Sequence, residues 1–275
     1  MPRLESGPDL AGKVAVVTGA SRGLGSRAAI RLAECGARLM LVARGERGLA
    51  ETASVIESAG GQATTYRADL SDPSSIGGLA AATLERLGQP AILMNAAGTF
   101  GPVQFIRDSD PAAWTDTLMI NTVSAYLTCR AFVGGMIDSG WGRIVNVSSA
   151  ASLHEPGPLN SAYATSKVAL NRFTRQLAAE LVGSGVTANV IHPGEVKTEM
   201  WAYICDTVRD AGPEADRYRE WATMVEETGG DDPDKAADLV LGLMSEDSAS
   251  VTGRFLWIEG GLQVPIPSWD DPPGR

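Results

Sequence analysis

Short apolar runs alternate along the chain with longer segments in which apolar residues recur every three or four positions. The short runs are hydrophobic at nearly every position, which is typical of strands in a parallel sheet covered on both faces. The pattern predicts about seven strands. They lie at Val14–Thr18, Arg38–Ala43, Ala63–Arg67, Ala91–Met94, Arg143–Ser148, Thr187–His192 and Arg254–Ile258.

Segments with helical spacing separate most of these strands. Examples are Gly25–Cys35, Glu46–Ala59, Ser74–Leu87, Ala112–Ile137 and Ala162–Val182. Regular alternation of strand and helix predicts an α/β fold built on a doubly wound parallel sheet with right-handed crossovers.

The chain contains no repeat, low-complexity block or linker that would divide it, so we expect one domain over residues 1–275. Residues 198–234 depart from the alternation because they combine several aromatic residues with many acidic ones. This lid segment is predicted to form a small helical insertion over a substrate site; the alternative is a static surface subdomain or an oligomer contact. Residues 1–11 and the proline-rich 265–275 are expected to be flexible or docking tails.

Composition and charge exclude several classes of protein. The chain has 275 residues, 44% of them hydrophobic, and a formal net charge of −10, which argues against nucleic acid or an anionic membrane as a partner. Its three cysteines, Cys35, Cys129 and Cys205, lack metal-ligand spacing, and the N-terminal stretch lacks the apolar core of a signal peptide. We therefore expect a reduced, cytoplasmic protein without a metal site.

A glycine-rich turn follows the first strand directly. This glycine turn reads Gly19-Ala-Ser-Arg-Gly23-Leu-Gly25 and leads into a helical pattern. Glycines allow a tight turn and close approach of the backbone to a pyrophosphate, while the helix N-terminus offers N–H donors and a positive dipole. With 31 glycines in the chain the spacing alone is weak evidence, but its place after the first strand favours a dinucleotide site.

The choice of dinucleotide depends on two arginines. A site for NAD commonly has an acid about 20 residues past the turn, on the ribose hydroxyls. Here the second strand ends in Val-Ala-Arg44 instead, and Arg22 in the turn is a second guanidinium that could bind a 2′-phosphate. We expect NADP(H), with NAD(H) as the alternative if Arg44 and Arg47 only solvate a loop.

Taken together, the motifs of this chain resemble those of the short-chain dehydrogenase/reductase family, in its single-domain branch, from Lys13 to Gly261. The pieces occur in the family's order. They are Thr18–Gly25 (TGASRGLG), Asp69-Leu70, Asn95-Ala-Ala-Gly98, Asn121, Ser148-Ser149, Tyr163-x-x-x-Lys167 and Pro193-Gly194-Glu-Val-Lys-Thr198. The resemblance implies a Rossmann-type fold and hydride transfer between a nicotinamide and a carbonyl or alcohol carbon.

The resemblance also implies a catalytic set of four residues. Tyr163 would exchange a proton with the substrate oxygen, and Lys167, on the same helical face, would lower the pKa of Tyr163 and bind the nicotinamide ribose. Ser149 would orient the substrate oxygen, and Asn121 would hold a water that relays protons to Lys167. Ser149 is preferred to Ser148 because it is the second serine of the pair after the strand.

The remaining positions of the family pattern would bind the dinucleotide. Asp69 would contact the adenine, and the backbone of Val196 would meet the nicotinamide carboxamide. The full set implied is Gly19, Ser21, Arg22, Gly23, Leu24, Gly25, Arg44, Asp69, Leu70, Asn95, Ala97, Gly98, Tyr163, Lys167, Pro193, Val196 and Thr198.

The leading hypothesis is an NADP(H)-dependent enzyme that interconverts a ketone or aldehyde and an alcohol, with a small-molecule substrate. Alternatives within the same chemistry are reduction of a 3-oxoacyl thioester or an imine, and oxidation of a sugar or steroid alcohol. A non-catalytic dinucleotide-binding sensor or scaffold is the alternative of a different class. Of the two histidines, His192 is interpreted as structural and His154 as a candidate substrate contact. The resemblance further implies a homotetramer or homodimer.

Overall fold

The computed structural model describes residues 7–258 and 261–263. Its centre is a sheet in which eight strands of the described chain follow the order β3-β2-β1-β4-β5-β6-β7-β8. The strands are β1 (Val14–Thr18), β2 (Arg38–Ala43), β3 (Gln62–Arg67), β4 (Ile92–Asn95), β5 (Gly142–Val147), β6 (Val186–His192), β7 (Phe255–Trp257) and β8 (Gly261–Gln263). The first seven are parallel and β8 is antiparallel to β7.

The parallel, Rossmann-like sheet expected from the sequence is confirmed, with every strand boundary shifted by no more than a residue or two. The additional strand β8 was not predicted from the sequence. With three residues, it is too short to show the alternation that marks an antiparallel strand.

Helices cover both faces of the sheet. They are α1 (Gly23–Glu34), α2 (Glu46–Ser58), α3 (Ser75–Leu87), α4 (Pro111–Leu118), α5 (Ser124–Asp138), α6 (Ser161–Glu180), α7 (Glu199–Val208), α8 (Asp216–Thr228) and α9 (Pro233–Met244). One apolar core lies between the sheet and α1, α2 and α9, and a second lies between the opposite face and α3, α5 and α6. The buried residues of α1, such as Ala28, Ala29 and Leu32, recur at helical spacing because only one face of the helix meets the sheet.

The segment Ala112–Ile137, predicted as one helix, is interrupted. A π-helical turn, Met119–Val123, separates α4 from α5. The cause is a set of tertiary hydrogen bonds: the Asn121 amide bonds both backbone groups of Thr99, and the Thr122 hydroxyl donates to the carbonyl of Ser166 at 2.8 Å. These contacts hold the widened turn, and periodicity within the segment does not reveal them.

The lid segment forms α7 and α8 and ends in the first residues of α9. Ile204, Val208 and Ala215 are buried in a third apolar cluster that also contains Phe100 and Tyr163. The N-terminus of α7 is capped by Thr198, whose hydroxyl accepts from the backbone N–H of Trp201 at 3.4 Å. The two helices therefore lie beside the carboxyl edge of the sheet.

At the N-terminus of the described chain, Leu10 is buried and its backbone N–H donates to the carbonyl of Cys35 at 2.8 Å. The rest of the predicted tails, residues 1–6 and 265–275, lies outside the described residues. No helix within 7–258 is both long enough and apolar enough to cross a bilayer.

Candidate active site

The carboxyl ends of four neighbouring strands bring the predicted site residues to one edge of the sheet. The glycine turn follows β1, Asn95 ends β4, Ser149 follows β5 and Pro193 follows β6. A cavity of about 330 Å³ opens at this edge between the sheet and the lid segment. Six of the predicted residues line it: Leu24, Ser149, Tyr163, Pro193, Val196 and Thr198.

The glycine turn has the geometry that a pyrophosphate requires. Gly19 and Gly23 have φ angles of +70° and +57°, which disfavour any residue with a side chain. A Cβ on Gly25 would lie 2.3 Å from the carbonyl oxygen of Gly19, so the helix packs directly on the turn. Arg22, the N-cap of α1, forms no side-chain cap, and the first turn of α1 contains no acid, which leaves its N–H groups available to an anion.

The two arginines expected at a 2′-phosphate have different surroundings. Arg22 forms an ion pair with Glu199 at the start of α7, and both side chains are well exposed. Arg44 follows β2; its carbonyl accepts from Nε of Arg67 at 3.2 Å, and its positive charge is one of the causes that lower the pKa of Asp69.

Two predicted dinucleotide contacts direct their side chains elsewhere. The Asp69 carboxylate accepts from the N–H and the hydroxyl of Ser71, at 3.0 and 2.8 Å, and these bonds are the main cause of its lowered pKa. Leu70 is buried in the core under α3. Only the backbones of Asp69 and Leu70 and the unused carboxylate oxygen of Asp69 are left to meet a ligand.

Asn95 belongs to a buried polar network that the sequence does not reveal. Its Nδ2 donates to Oδ1 of Asn146 at 2.9 Å, and its Oδ1 accepts from the hydroxyl of Thr128 at 2.8 Å. Nδ2 of Asn146 in turn donates to the hydroxyl of Thr174 at 2.8 Å. The Asn95 side chain therefore links β4 to β5 and α5 below the site, and does not face the groove.

The loop that follows Asn95 at the end of β4 packs against the glycine turn. Ala97 donates its backbone N–H to the hydroxyl of Thr18 at 3.2 Å. A Cβ added to Gly98 would lie 3.3 Å from Oδ1 of Asn121 and 3.7 Å from Nζ of Lys167, so the absence of a side chain keeps space beside these two polar groups.

Tyr163, near the start of α6, lies at the floor of the cavity. Its ring stacks on Phe100 with centroids 4.6 Å apart, and Ser149 lines the same cavity. Burial raises the pKa of Tyr163 to about 12; the nearby hydroxyl of Ser149 opposes this rise, and the negative charge of Glu195 adds to it. The phenol is therefore protonated at neutral pH.

Lys167 lies one turn further along α6 and is buried. Its ammonium donates to the carbonyl of Val147 at 2.8 Å and lies 5.6 Å from the centroid of the Tyr163 ring. Burial lowers the pKa of Lys167 to about 8. The spacing of Tyr163 and Lys167 on one helix face predicts a lowered pKa for Tyr163. In the structure burial dominates, and the pKa of Tyr163 shifts upwards.

Asn121, in the π-helical turn, completes the set of four. Its Oδ1 accepts from the N–H of Thr99 at 2.8 Å, and its Nδ2 donates to the carbonyl of Thr99 and to the hydroxyl of Ser166, both at 2.9 Å. The side chain is thus fully used in holding the loop after β4 against α6, and the candidate water-binding group of Asn121 is its backbone.

His192 and Glu195 also line the cavity, and the sequence pattern assigns neither of them a role in the chemistry. Nδ1 of His192 accepts from the N–H of Ala150 at 3.3 Å, which ties the end of β6 to the loop that carries Ser149. Burial, with the nearby His154, lowers the pKa of His192 to about 4, so its ring is neutral at pH 7. Oε2 of Glu195 accepts from Nε1 of Trp221 in α8 at 2.6 Å.

His154, the candidate substrate contact, lines the cavity. Met200, Trp201 and Trp221 of the lid segment line it too, whereas Met224 is exposed on α8 and does not. Within residues 7–258 and 261–263, no group of three or more His, Cys, Asp or Glu side chains is arranged to hold a metal ion.

Comparisons with known proteins agree with this geometry. The family model for short chain dehydrogenase matches residues 13–209. The 3-oxoacyl-[acyl-carrier-protein] reductase FabG of Pseudomonas aeruginosa is 33% identical over 260 residues, which cover 93% of this chain and 99% of the relative.

Solved structures of similar fold contain either dinucleotide. An actinorhodin polyketide ketoreductase variant with NADPH superimposes with a TM-score of 0.81 at 30% identity, covering 89% of this chain and 95% of the other. An NAD⁺-bound xylitol dehydrogenase gives a TM-score of 0.82 at 27% identity, covering 92% and 99%.

Proposed function

Since the chain belongs to the short-chain dehydrogenase/reductase family of oxidoreductases, we propose that it interconverts a ketone or aldehyde and an alcohol, with NADP(H) as the preferred dinucleotide. Tyr163 is the general acid in reduction and the general base in alcohol oxidation. The observation that carries the proposal is that Ser149 and Tyr163 line one cavity together with Leu24 of the glycine turn.

In this proposal, the substrate oxygen lies between the hydroxyls of Ser149 and Tyr163. A bound nicotinamide would supply a hydride for the carbonyl carbon, and its ring would be positively charged in the oxidised form. Ser149 donates a hydrogen bond that orients the oxygen. Tyr163 gives its proton to the same oxygen as the C–O double bond is reduced, and the phenol, with a pKa of about 12, carries that proton at neutral pH.

Lys167 and Asn121 support this proton transfer. The Lys167 ammonium donates to the carbonyl of Val147, and we propose that it also binds the nicotinamide ribose. Its pKa of about 8 allows it to exchange a proton near neutral pH. The backbone of Asn121 is the candidate site for a water that returns a proton from solvent to Lys167 and then to Tyr163.

Dinucleotide binding is assigned to the glycine turn and to the strand ends beside it. The free N–H groups at the start of α1 suit the pyrophosphate, and Arg22 and Arg44 are proposed to bind the 2′-phosphate of NADP(H). The contacts assigned to Asp69, Leu70 and Asn95 are limited to backbone groups and the one unused carboxylate oxygen, because their side chains are otherwise engaged.

One of the two alternatives has specific support. Similarity to a 3-oxoacyl-[acyl-carrier-protein] reductase favours a thioester-linked ketone as a second candidate substrate class. A non-catalytic sensor would retain the glycine turn without needing Ser149 and Tyr163 in one cavity, so it is the weaker alternative.

Initial rates with NADPH and NADH over ketones, keto esters and 3-oxoacyl thioesters test the proposal. We expect oxidation of the dinucleotide to depend on the carbonyl compound and NADPH to be preferred. Tight dinucleotide binding without turnover of any carbonyl would instead support the sensor.

The assembly and the lid segment are also proposals. Tyr126 and Ile137 on α5 and Val168 on α6 expose large apolar side chains on helices that the family resemblance implies as oligomer contacts. We propose a homodimer or homotetramer through these helices, to be tested by light scattering. The apolar cluster under α7 and α8 supports a role for the lid segment in closing the substrate cavity.

A further inference from the structure

Glu195 places a carboxylate on the wall of the candidate active site. It follows Pro193-Gly194 after β6, lines the same cavity as Tyr163, and has 35% of its side chain exposed. Most of the wall around it is apolar, with contributions from Phe100, Met200 and Ile204. A charged group in such surroundings has a large influence on what the cavity binds.

The position of this carboxylate is held from both sides of the cavity. Its Oε2 accepts from Nε1 of Trp221 in the lid segment at 2.6 Å. Its backbone N–H donates to the carboxylate of Asp231 at 2.8 Å, and its carbonyl accepts from the Asp231 N–H at 3.1 Å. Glu195 is therefore held in place and is not a mobile surface acid.

The second carboxylate oxygen of Glu195 has an incomplete set of partners. Oε1 lies 3.9 Å from Nε2 of His192, too far for a hydrogen bond, and the His192 ring is neutral because its Nδ1 accepts from Ala150 and its pKa is about 4. Within the described residues, no lysine or arginine is paired with Glu195. The negative charge is thus uncompensated, and one oxygen can still accept a hydrogen bond.

Other charged side chains of the cavity add to the negative potential that Glu195 creates. Among the described residues, Glu155 and Glu214 also line the cavity, against a single guanidinium, that of Arg217. The charge of Glu195 reaches the reacting centre itself, because it adds to the rise in the pKa of Tyr163 that burial mainly causes. A ligand beside Tyr163 therefore lies in the field of Glu195.

We infer that Glu195 is a specificity-determining residue, which selects substrates that carry a hydrogen-bond donor, an ammonium or a hydroxyl group, near the reacting carbon, and disfavours those with a carboxylate there. The inference rests on the proposed function, because it assigns the substrate class of the same site. The carboxylate of Glu195 repels a substrate that carries a negative charge. It also disfavours, more weakly, a substrate without a hydrogen-bond donor, because its free oxygen is then left unpaired.

The test uses three alcohols of the same shape that differ in one group: 2-amino-1-phenylethanol, 1-phenylethane-1,2-diol and mandelate. Each is titrated by calorimetry into the full chain saturated with NADPH, where no alcohol can be oxidised and binding alone is measured. We expect the ammonium compound to bind about tenfold or more tighter than mandelate, with the diol between them. Equal binding of the ammonium compound and mandelate, tighter binding of mandelate, or no binding of any of the three would overturn the inference.

Variants separate the charge of Glu195 from its packing. Glu195→Gln keeps an acceptor for Trp221 and removes the charge, so the ratio of ammonium to carboxylate affinity should fall below about threefold. Glu195→Asp retains the charge and should retain the order. Glu214→Gln removes a different acid of the same cavity and should leave the order intact. An unchanged ratio in Glu195→Gln would contradict the inference even if Glu195→Asp failed to fold.

A kinetic arm distinguishes this inference from the proposed function. The matching ketones are 2-amino-1-phenylethanone, 2-hydroxy-1-phenylethanone and phenylglyoxylate. Their kcat/KM values with NADPH should follow the same order. If none is reduced while the alcohols bind in the expected order, the proposed function fails and the specificity of Glu195 stands. Reduction of all three at equal kcat/KM would support the proposed function and refute the role of Glu195.

Discussion

The guanidinium of Arg22 forms an ion pair with the carboxylate of Glu199, so the glycine turn is joined to the first helix of the lid segment. Both side chains are largely exposed, at 66% and 64%, and the pair lies beside the groove assigned to the dinucleotide. An arginine proposed to bind a 2′-phosphate thus already has an anionic partner. A phosphate that binds Arg22 must compete with Glu199.

Glu199→Gln should therefore tighten NADPH binding. The gain is expected to be about twofold to fivefold, because exposed ion pairs contribute little. NADH, which lacks the 2′-phosphate, should bind unchanged, and the dissociation constants can be measured by quenching of protein fluorescence. Asp206→Asn is the matched control, since Asp206 lies on the same helix and pairs with Arg209 away from the groove. An identical NADPH affinity in Glu199→Gln and wild type would exclude Arg22 from the 2′-phosphate site.

Tyr163→Phe should lower kcat by about 10³-fold, because it removes the group that exchanges a proton with the substrate oxygen. NADPH affinity should be nearly unchanged, since the glycine turn is untouched. Tyr218→Phe is the control, because Tyr218 also lines the cavity but donates its hydroxyl to the carbonyl of Pro158 at 3.2 Å. Single-turnover rates with NADPH measure both variants. Equal losses in the two would mean that neither phenol is the specific acid.

The stability of the protein should fall in mild acid because of His192. Burial and the nearby His154 lower its pKa from 6.5 to about 4, so between these pH values the unfolded chain binds a proton that the native chain does not. The free energy of unfolding contributed by this group is fully present above pH 6.5 and is lost by about pH 4. The loss amounts to about 3 kcal/mol.

Urea unfolding of wild type and His192→Asn between pH 4 and 7 measures this contribution. Asparagine removes the titration and keeps an acceptor for the N–H of Ala150. The variant should therefore show a shallower decrease of the unfolding free energy with falling pH. Parallel curves for the two proteins would show that His192 is protonated equally in the native and unfolded chains.

Thr128→Val should destabilise the fold without affecting dinucleotide binding. The substitution removes the hydroxyl that donates to Oδ1 of Asn95 at 2.8 Å, in a fully buried network, at a cost of about 1–3 kcal/mol. The exposed Thr115→Val, which loses only a bond to the carbonyl of Pro111, should cost less than about 0.5 kcal/mol. Chemical denaturation and NADPH titration measure both effects. If Thr128→Val lost NADPH affinity without losing stability, Asn95 would be a dinucleotide-binding residue after all.

The features that the sequence predicted are those determined by short stretches of chain. A run such as Val14–Thr18 is buried on both faces, and a glycine with positive φ such as Gly19 is required by the turn itself, so each is visible in the local pattern. The identity and order of the parallel strands follow from the same local signals.

The features that the sequence did not predict depend on contacts between residues that are far apart in the chain. The direction of the Asn95 side chain is set by Thr128 and Asn146, and the position of the Glu195 carboxylate is set by Trp221. The upward shift in the pKa of Tyr163 is likewise a consequence of burial beneath the lid segment, which no spacing between Tyr163 and Lys167 encodes.

The π-helical turn Met119–Val123 makes the packing of α5 depend on the number of residues that precede this helix. One additional residue in a helix rotates all that follows by about 100°. The buried side of α5, which includes Ala125, Cys129 and Phe132, is therefore in phase with the sheet only if this turn keeps its extra residue. A single deletion here would leave every motif of the sequence intact while turning this apolar stripe towards solvent. Insertions and deletions in this segment should be tolerated no better than replacement of Asn121.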